Sequence, residues 1–236
     1  MLGNVRQNSR GVYTRVMQHP APDGTTTETP LVSVAYHTPK ESVDRVDTGG
    51  AIFIDRDGVL NRFGHIRSAQ DVDKFMEPGA VESLVKLMKT TRMPVYVVTN
   101  QQAASKPKGL GYAEVALDRL AELVVANGGK FAAVLYCPNR YFTTVPATAV
   151  NGFKPEGGMF LEAASQYGVD LSKSYMVGDS VKDMVAAKQA NPQMQTVLVK
   201  TGKAGSDEEL PYQPEAWQDN IHGAVDWIIS RESTST

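Results

Sequence analysis

The sequence predicts a doubly wound α/β domain built around a parallel β-sheet. From Gly49 onward, short apolar runs typical of buried strands alternate with stretches whose apolar residues recur at helical spacing. The strand runs are apolar almost throughout, as expected for a parallel sheet covered on both faces. Polar and charged residues follow several of these runs, and ligands bind at the carboxyl ends of the strands in such sheets.

The individual elements can be placed in chain order from these patterns. The first helix carries Val81, Leu84, Val85 and Met88 at positions i, i+3, i+4 and i+7. Glycine ends two of the later helices, as is common at helix C-termini. The predicted strands lie at 51–54, 95–98, 131–136, 175–177 and 196–199, and the predicted helices around 81–88, 113–124, 160–167, 181–188 and 221–229.

A change of composition near position 48 divides the chain. The first 48 residues contain four prolines and few large apolar residues, whereas the later residues follow the regular pattern. We therefore predict an N-terminal extension at 1–48, an α/β domain at 49–231 and a frayed tail at 232–236.

The extension itself allows two interpretations. Two β-like runs, from Val12 to Met17 and from Leu31 to Tyr36, flank the turn-like Pro22-Asp23-Gly24, so the extension is either a small hairpin or a flexible arm. The first 22 positions contain no acidic residue, a bias shared by mitochondrial transit peptides. We expect a cytoplasmic protein, with a mitochondrion or another organelle as the alternative.

Composition excludes several classes of protein. The 24 basic and 26 acidic residues leave a net charge of −2, which disfavours binding to nucleic acid through bulk charge. Cys137 is the single cysteine, so neither an intrachain disulfide framework nor a multi-cysteine zinc site can form. No apolar run approaches the roughly 18 residues of a membrane-spanning helix. We expect an intracellular monomer or small homo-oligomer.

Two carboxylates that follow the first predicted strand suggest nucleophilic and acid–base chemistry. Asp55 and Asp57 are spaced by two, so in an extended chain both side chains point to one side. One carboxylate could attack an electrophile while the other moves a proton. Gly58 lets the chain turn sharply and aim backbone N–H groups at an anion.

Further polar residues follow the other predicted strands. Asp179 adds a third acidic oxygen from another strand, and three oxygens with room for water suit Mg²⁺. Thr99 and Asn100 can donate hydrogen bonds to phosphoryl oxygens, and Lys154 can stabilise the charge of a transition state. Asp183 lies four residues beyond Asp179 and is a candidate supporting carboxylate. These residues together predict a magnesium-assisted phosphate site at one edge of the sheet.

Asp55, Thr99, Lys154 and Asp179, taken in this order, resemble the four signature motifs of the haloacid dehalogenase (HAD) superfamily of phosphatases. Longer strings around them are similar to the histidinol-phosphatase and D,D-heptose 1,7-bisphosphate phosphatase branch. The resemblance covers about residues 49–205, and its motifs are specific as a set although each is weak alone. The matching strings are FIDRDGVLN at 53–61, VTNQ at 98–101, YCP at 136–138, KP and GM within 154–159, MVGD at 176–179 and TGK at 201–203.

The resemblance implies a role for each matching residue. Asp55 would form an aspartyl-phosphate and ligate Mg²⁺. Asp57 would protonate the leaving group, then activate water, and would offer the metal its backbone carbonyl. Thr99 and Lys154 would bind the phosphate, and Asp179 would complete the metal site. The implied activity is a Mg²⁺-dependent phosphomonoesterase acting on a small metabolite, either a sugar phosphate such as heptose bisphosphate or histidinol phosphate.

The sequence departs from this branch in three places, of which one is the stretch 102–111, which lacks the usual Gly-Ile-Ala-Arg-Gly pattern of the branch. Where the branch carries four zinc ligands, this chain has Cys137, Asn139, Val150 and Gly152, and one ligand of four cannot hold structural zinc. We therefore predict Mg²⁺ and no zinc. Phe153 stands where the branch has an arginine before the lysine, which removes a bidentate phosphate contact.

The spacing between motifs leaves no room for a separate cap domain. The 44 positions from Asp55 to Thr99 and the 55 from Thr99 to Lys154 are nearly filled by predicted strands and helices. Loops at 62–75 and 103–111 are expected to shape the pocket instead. Such a capless site can take a small phosphomonoester in a loop-lined cleft, or the end of a polymer.

Two alternative functions stay open at this point. Polynucleotide 3′-phosphatase domains resemble this chain at Thr99-Asn100-Gln101 and Lys154-Pro155, although their first motif more often reads Asp-Leu-Asp-Gly-Thr. The absence of basic clusters disfavours nucleic acid as a partner. A non-catalytic binding module would be expected to have lost at least one of Asp55, Asp57 and Asp179, and all three are present.

Overall fold

The structure is a computed structural model of the 236-residue chain. It describes residues 4–7, 12–20, 26–36, 49–105, 109–137, 150–206 and 209–234. Within these ranges, every helix is too short or too polar to cross a membrane.

The N-terminal extension contains three antiparallel strands. They are β1 (Asn4–Gln7), β2 (Val12–Pro20) and β3 (Thr26–Tyr36), and β2 lies between the other two. The pairing of β2 with β3 corresponds to the hairpin alternative. The turn expected at 22–24 lies outside the described residues, and the division of the chain at position 48 stays a prediction.

The α/β domain is built on a six-stranded sheet in which every neighbouring pair is parallel. Its strand order is β6-β5-β4-β7-β8-β9. The chain therefore moves outward from β4 in one direction, and then returns to the other side of β4 to form the second half. Such a reversal opens a crevice at the carboxyl ends of the central strands. The strands are β4 (Ile52–Ile54), β5 (Val95–Asn100), β6 (Ala133–Cys137), β7 (Tyr175–Gly178), β8 (Gln195–Val199) and β9 (Ala216–Gln218).

Helices cover both faces of this sheet. One buried cluster holds apolar residues of α2, α3 and α6, and a second holds those of α4 and α5. Short 3₁₀ turns lie at Gln102–Ser105 and Leu171–Lys173. The helices are α1 (Ala69–Phe75), α2 (Ala80–Thr91), α3 (Gly109–Ala126), α4 (Gly158–Tyr167), α5 (Val181–Ala190) and α6 (Ile221–Ser233).

Successive residues of a strand belong alternately to the two clusters. In β4, Ile52 and Ile54 belong to the first cluster and Phe53 belongs to the second, because successive side chains of a strand point to opposite faces. The Phe53 ring stacks on Tyr96 at 5.2 Å and meets the edge of Phe160 at 5.0 Å. The central strand is thereby held from both sides. The doubly wound parallel architecture predicted from the sequence is confirmed.

Strand β1 of the extension, the 3₁₀ turns and two short elements of the α/β domain were not predicted. Helix α1 lies within the segment 62–75, which was expected to be a loop. It has one buried residue, Val72, so it leaves no apolar periodicity, and its Ser68 cap, whose hydroxyl accepts from the Asp71 N–H, is a common turn pattern as well. Strand β9 is three residues long at the edge of the sheet, too short for a recognisable pattern. Between Asp55 and Thr99, a range described throughout, the chain forms only α1, α2 and connecting loops before β5, in agreement with a capless domain.

We expect Phe160→Ala to lower the free energy of unfolding by about 3–5 kcal/mol, because it removes a fully buried ring from the second cluster. Val125→Ala is the control, since Val125 is 58% exposed on α3 and should change stability by no more than about 0.5 kcal/mol. Urea unfolding measures the stability of both variants, provided that the free energy of unfolding depends on urea concentration with the same slope as in wild type. Equal effects would contradict the packing described for Phe160.

Candidate active site

Every residue predicted for the site lines one cleft of about 660 Å³ at the carboxyl edge of the sheet. Asp55 follows β4 and Asp179 follows β7, and the pairing of Ile54 with Val177 brings these two strand ends side by side. The Asp55 N–H also donates to the Val177 carbonyl at 2.9 Å. The predicted residues that line the cleft are Asp55, Asp57, Thr99, Asn100, Lys154, Asp179 and Asp183.

Lys154 is buried, although a lone lysine before a helix would ordinarily lie at the surface. Its Nζ lies 3.0 Å from Asp55 Oδ1 and 2.5 Å from Asp183 Oδ1, and it donates to the Val98 carbonyl at 2.9 Å. An ammonium group has three protons, and three acceptors surround it here. Burial would lower the pKa of Lys154, but the charges of Asp183 and Asp55 raise it above its usual range. The side chain is therefore a permanent cation that joins the two carboxylates.

Asp183 is held from the opposite side by the start of α5. Its Oδ2 accepts hydrogen bonds from the Ser180 N–H at 3.1 Å and the Ser180 hydroxyl at 2.8 Å. These two residues form the capping box of the helix. The helix N-terminus and Lys154 together fix this carboxylate. This position is consistent with the expectation that Asp183 assists the metal site.

Asp55, Asp179 and Asp183 form a compact cluster of acids. Each offers an oxygen, and these oxygens lie within 4.8 Å of one another. Burial raises the pKa of Asp55 well above its usual range; the charge of Lys154 opposes this shift, and the neighbouring carboxylates add to it. Burial and Asp183 likewise raise the pKa of Asp179 to about 6, against the opposing contacts of Lys203 and Lys154. The cluster has more negative charge than its surroundings neutralise.

This arrangement fits a hard divalent cation. Oxygen ligands and an open side facing a cleft are what Mg²⁺ requires, since it keeps several waters. Two glycines leave space for the Asp179 carboxylate: a Cβ at Gly58 (φ +90°) or at Gly202 (φ +63°) would collide with its Oδ2. The same oxygen accepts from the Lys203 N–H at 2.7 Å. Asp179 is thus aimed into the cleft by backbone alone.

Asp57 has different surroundings from the other acids. Its Oδ1 accepts from Asn61 at 2.9 Å and from two nitrogens of Arg56, at 2.8 and 3.1 Å. Its Oδ2 accepts from Arg56 at 2.7 Å and from Gln101 Nε2 at 2.9 Å. Burial would raise the pKa of Asp57, but the Arg56 guanidinium and the hydrogen bonds from Asn61, Arg56 and Gln101 hold it below its usual range. Asp57 is ionised in this arrangement.

Thr99 and Asn100, at the end of β5, have partners of different kinds. The Thr99 hydroxyl oxygen accepts from Gln101 Nε2 at 2.9 Å, which leaves its own proton available to a ligand. The amide of Asn100 exchanges two hydrogen bonds with the main chain of Lys154, at 2.9 and 3.0 Å. The structure thus gives Asn100 a contact that the sequence did not predict: it ties β5 to the loop that carries Lys154.

Arg56, Asn61 and Gln101 were not identified as functional from the sequence. All three are buried and contact Asp57. They lie inside the strings that resemble the HAD branch, so the sequence already marked this region. Hydrogen bonds to one carboxylate produce no regular spacing along the chain, so their contact with Asp57 could not be predicted.

The cleft is also lined by residues that the sequence did not single out. Two of them are the aromatic residues Phe63 and Tyr112, which are exposed. Three further basic side chains also line it, from the loop before α1, from α5 and from the loop after β8. They are Arg67, Lys182 and Lys203.

The positions aligned with zinc ligands divide between described and undescribed residues. Cys137 is buried at the end of β6, whereas Asn139 lies outside the described residues. Within the described part of the chain, the acidic trio of Asp55, Asp179 and Asp183 is the group found that could hold a metal ion. The absence of zinc stays a prediction.

A six-stranded parallel sheet with these acids at its carboxyl edge is the arrangement of a HAD-type phosphatase. In agreement, a family model described as HAD-hydrolase-like matches residues 153–224. The D-glycero-beta-D-manno-heptose-1,7-bisphosphate 7-phosphatase of Escherichia coli K12 is 31% identical over 192 residues, covering 76% of this chain and 88% of that protein. The chain belongs to the family of HAD heptose bisphosphate phosphatases.

Other relatives agree with this assignment. The phosphatase of the same name from Pseudomonas aeruginosa is 34% identical over 162 residues, covering 64% of this chain and 82% of that protein. The D,D-heptose 1,7-bisphosphate phosphatase of B. bronchiseptica, solved with magnesium and phosphate, superposes with a TM-score of 0.63 at 25% identity. It covers 77% of this chain and 99% of its own. These findings support a phosphatase of small phosphorylated metabolites over the polynucleotide 3′-phosphatase and the non-catalytic binding module left open by the sequence.

We expect Mg²⁺ to stabilise the folded protein. The unfolded chain releases the protons of its aspartates near pH 4, whereas the folded metal-free protein retains that of Asp179 to about pH 6. The contribution of Asp179 to the free energy of unfolding, obtained by comparison with Asp179→Asn, should therefore fall as the pH rises through this window in EDTA. Added Mg²⁺ should reverse the fall, by about 2.7 kcal/mol at 100 times its Kd.

Thermal unfolding in EDTA and in Mg²⁺, on either side of this window, measures the effect. Asp179→Asn should remove most of the gain from Mg²⁺. Asp226→Asn should retain it, because Asp226 is exposed on α6 and pairs with Lys86 far from the cleft. A gain that survives Asp179→Asn would rule out the acidic cluster as the binding site.

Proposed function

We propose that this protein releases phosphate from a sugar phosphate through a covalent intermediate on Asp55. The observation that carries the proposal is the convergence of Asp55, Asp179, Asp183 and the buried Lys154 on one open cleft. A phosphomonoester entering this cleft meets a carboxylate beside a fixed cation, which is what nucleophilic attack on phosphorus requires.

The proposed reaction has two steps. A carboxylate oxygen of Asp55 attacks phosphorus, the bond from phosphorus to the ester oxygen breaks, and Asp57 gives a proton to the departing alcohol. Water then attacks the same phosphorus, Asp57 accepts its proton, and the bond from phosphorus to Asp55 breaks. The contacts that keep Asp57 ionised suit the second step, and an incoming phosphate dianion favours the protonated form needed for the first.

The other site residues bind and orient the phosphate. We assign phosphate binding to the Thr99 hydroxyl and Lys154, with Asn100 holding the Lys154 main chain in position. Asp55, Asp179 and the backbone carbonyl of Asp57 would hold Mg²⁺, with Asp183 in support. When bound, the cation supplies positive charge that offsets the repulsion between carboxylate and phosphate.

A sugar bisphosphate is the substrate class that we favour. The relatives are named for heptose 1,7-bisphosphate, and several basic side chains line the cleft here. Arg67, Lys182 and Lys203 line it in addition to Lys154. A second phosphate on the sugar would contact cations of this set, since charged donors bind phosphate oxygens strongly.

We expect purified protein with Mg²⁺ to release one phosphate from D-glycero-β-D-manno-heptose 1,7-bisphosphate faster than from histidinol phosphate or a 3′-phosphorylated oligonucleotide. Asp55→Asn is the blank, because an amide cannot form the covalent intermediate. Phosphate release measured over time distinguishes the substrates. Equal turnover by wild type and Asp55→Asn would refute the mechanism, and preference for the oligonucleotide would refute the substrate class.

The basic residues that line the cleft provide a separate prediction. Lys182→Met and Lys203→Met should each raise KM for the bisphosphate by roughly tenfold, since a hydrogen bond to a charged group contributes about 1.5–3 kcal/mol. Neither should affect KM for a sugar monophosphate to that extent. Lys86→Met is the matched control, because Lys86 is exposed on α2 and pairs with Asp226 outside the cleft. Equal changes on both substrates would show that these lysines do not contact a second phosphate.

A further inference from the structure

Gln101 contacts both Asp57 and Thr99 through its side-chain amide. Its Nε2 donates to Asp57 Oδ2 and to Thr99 Oγ1, both at 2.9 Å. An amide nitrogen has two protons, so each is directed at one of these oxygens. One proposed acid–base residue and one proposed phosphate-binding residue are thereby held by the same atom.

The backbone of Gln101 is itself well anchored. Its N–H donates to the Cys137 carbonyl at 2.8 Å, and its carbonyl accepts from the Ala104 N–H at 2.8 Å. The first contact continues the pairing of β5 with β6, and the second closes the turn that begins at the end of β5. The residue is also buried. Its side chain is therefore presented from a rigid point of the sheet.

The other two residues that contact Asp57 come from its own loop. Arg56 is its neighbour in sequence, and Asn61 lies four residues later and closes the same turn through a hydrogen bond from the Gly58 N–H. A movement of this loop would carry Asp57 along with both partners. The described contact that ties the Asp57 carboxylate to the neighbouring strand is the one from Gln101.

We infer that Gln101 is a positioning residue that fixes the Asp57 carboxyl group relative to the phosphate bound at Thr99. The inference rests on the proposed function, in which Asp57 protonates the departing alcohol. Without Gln101, Asp57 keeps its loop contacts but loses its alignment with β5, so proton delivery to the ester oxygen becomes less efficient. Phosphate binding itself depends on Thr99 and Lys154, which remain.

The leaving group provides the test. A sugar alkoxide needs a proton as it departs, whereas 4-nitrophenolate is stable as an anion and departs without one. The ratio kcat/KM reports the steps up to departure of the leaving group. Loss of alignment of Asp57 should thus lower kcat/KM for the heptose bisphosphate much more than kcat/KM for 4-nitrophenyl phosphate.

The experiment compares both substrates in Gln101→Leu and Gln101→Met, neither of which can donate the hydrogen bonds. We define the quotient as kcat/KM for the heptose bisphosphate divided by kcat/KM for 4-nitrophenyl phosphate. General acid catalysis contributes about 10²–10⁴-fold, so we expect this quotient to fall at least roughly tenfold. The quotient is independent of how much of each preparation is folded, because both substrates are measured on the same sample. Gln166→Leu, at an exposed glutamine of α4, is the matched control and should leave the quotient unchanged.

Asp57→Asn separates failure of this inference from failure of the proposed function. If Asp57→Asn lowers the quotient but the Gln101 variants change both substrates equally, or not at all, Gln101 does not position Asp57 and the proposed function stands. If wild type hydrolyses neither compound, or Asp57→Asn leaves the quotient unchanged, the proposed role of Asp57 is wrong and the inference is overturned with it.

Discussion

The balance of buried charge at the carboxyl edge of the sheet is the constraint on which the rest of this structure depends. Three carboxylates lie within 4.8 Å of one another, and the ammonium of Lys154 contacts two of them. An unpaired buried carboxylate costs several kcal/mol, so Lys154 is what allows Asp55 and Asp183 to be buried together. One ammonium cannot neutralise three acids, and burial together with the neighbouring carboxylates raises the pKa values of Asp55 and Asp179. An excess of negative charge favours a divalent cation, which is the basis of the metal site that we propose.

The backbone of the sheet determines where these charged groups lie. The pairing of β4 with β7 sets Asp55 beside Asp179, and the conformation of Gly58 leaves space for the Asp179 carboxylate. The amide of Asn100 then ties β5 to the main chain of Lys154. Contributions from three adjacent strands therefore hold the groups that react, and such rigid support is what preorganised catalytic sites require. The same contacts stabilise the fold, so the site and the core cannot be altered independently.

Two aspartates only two positions apart have opposite electrostatic surroundings. Asp55 is buried among like charges, which raises its pKa, whereas Asp57 accepts hydrogen bonds from Arg56, Asn61 and Gln101, which lower its pKa. Pairs of acids whose surroundings separate them in this way commonly divide nucleophilic and acid–base work between them. The division inferred from the motif is thus supported by a physical difference between the two side chains. The cleft that these acids line is open and also has basic residues in its lining, which favours an anionic substrate larger than phosphate alone.

The sequence by itself determined the alternation of strands and helices and the identity of the acids at the strand ends, because both follow from local periodicity and from residues adjacent to strands. It did not predict α1 or β9, since one has a single buried residue and the other has three residues in all. Only the tertiary structure decided the partner of each polar side chain. Lys154 meets Val98 and Asp183 across 56 and 29 positions, and Gln101 meets Asp57 across 44. Such contacts depend on how the crossover connections pack the strands side by side, and no spacing along the chain encodes that distance.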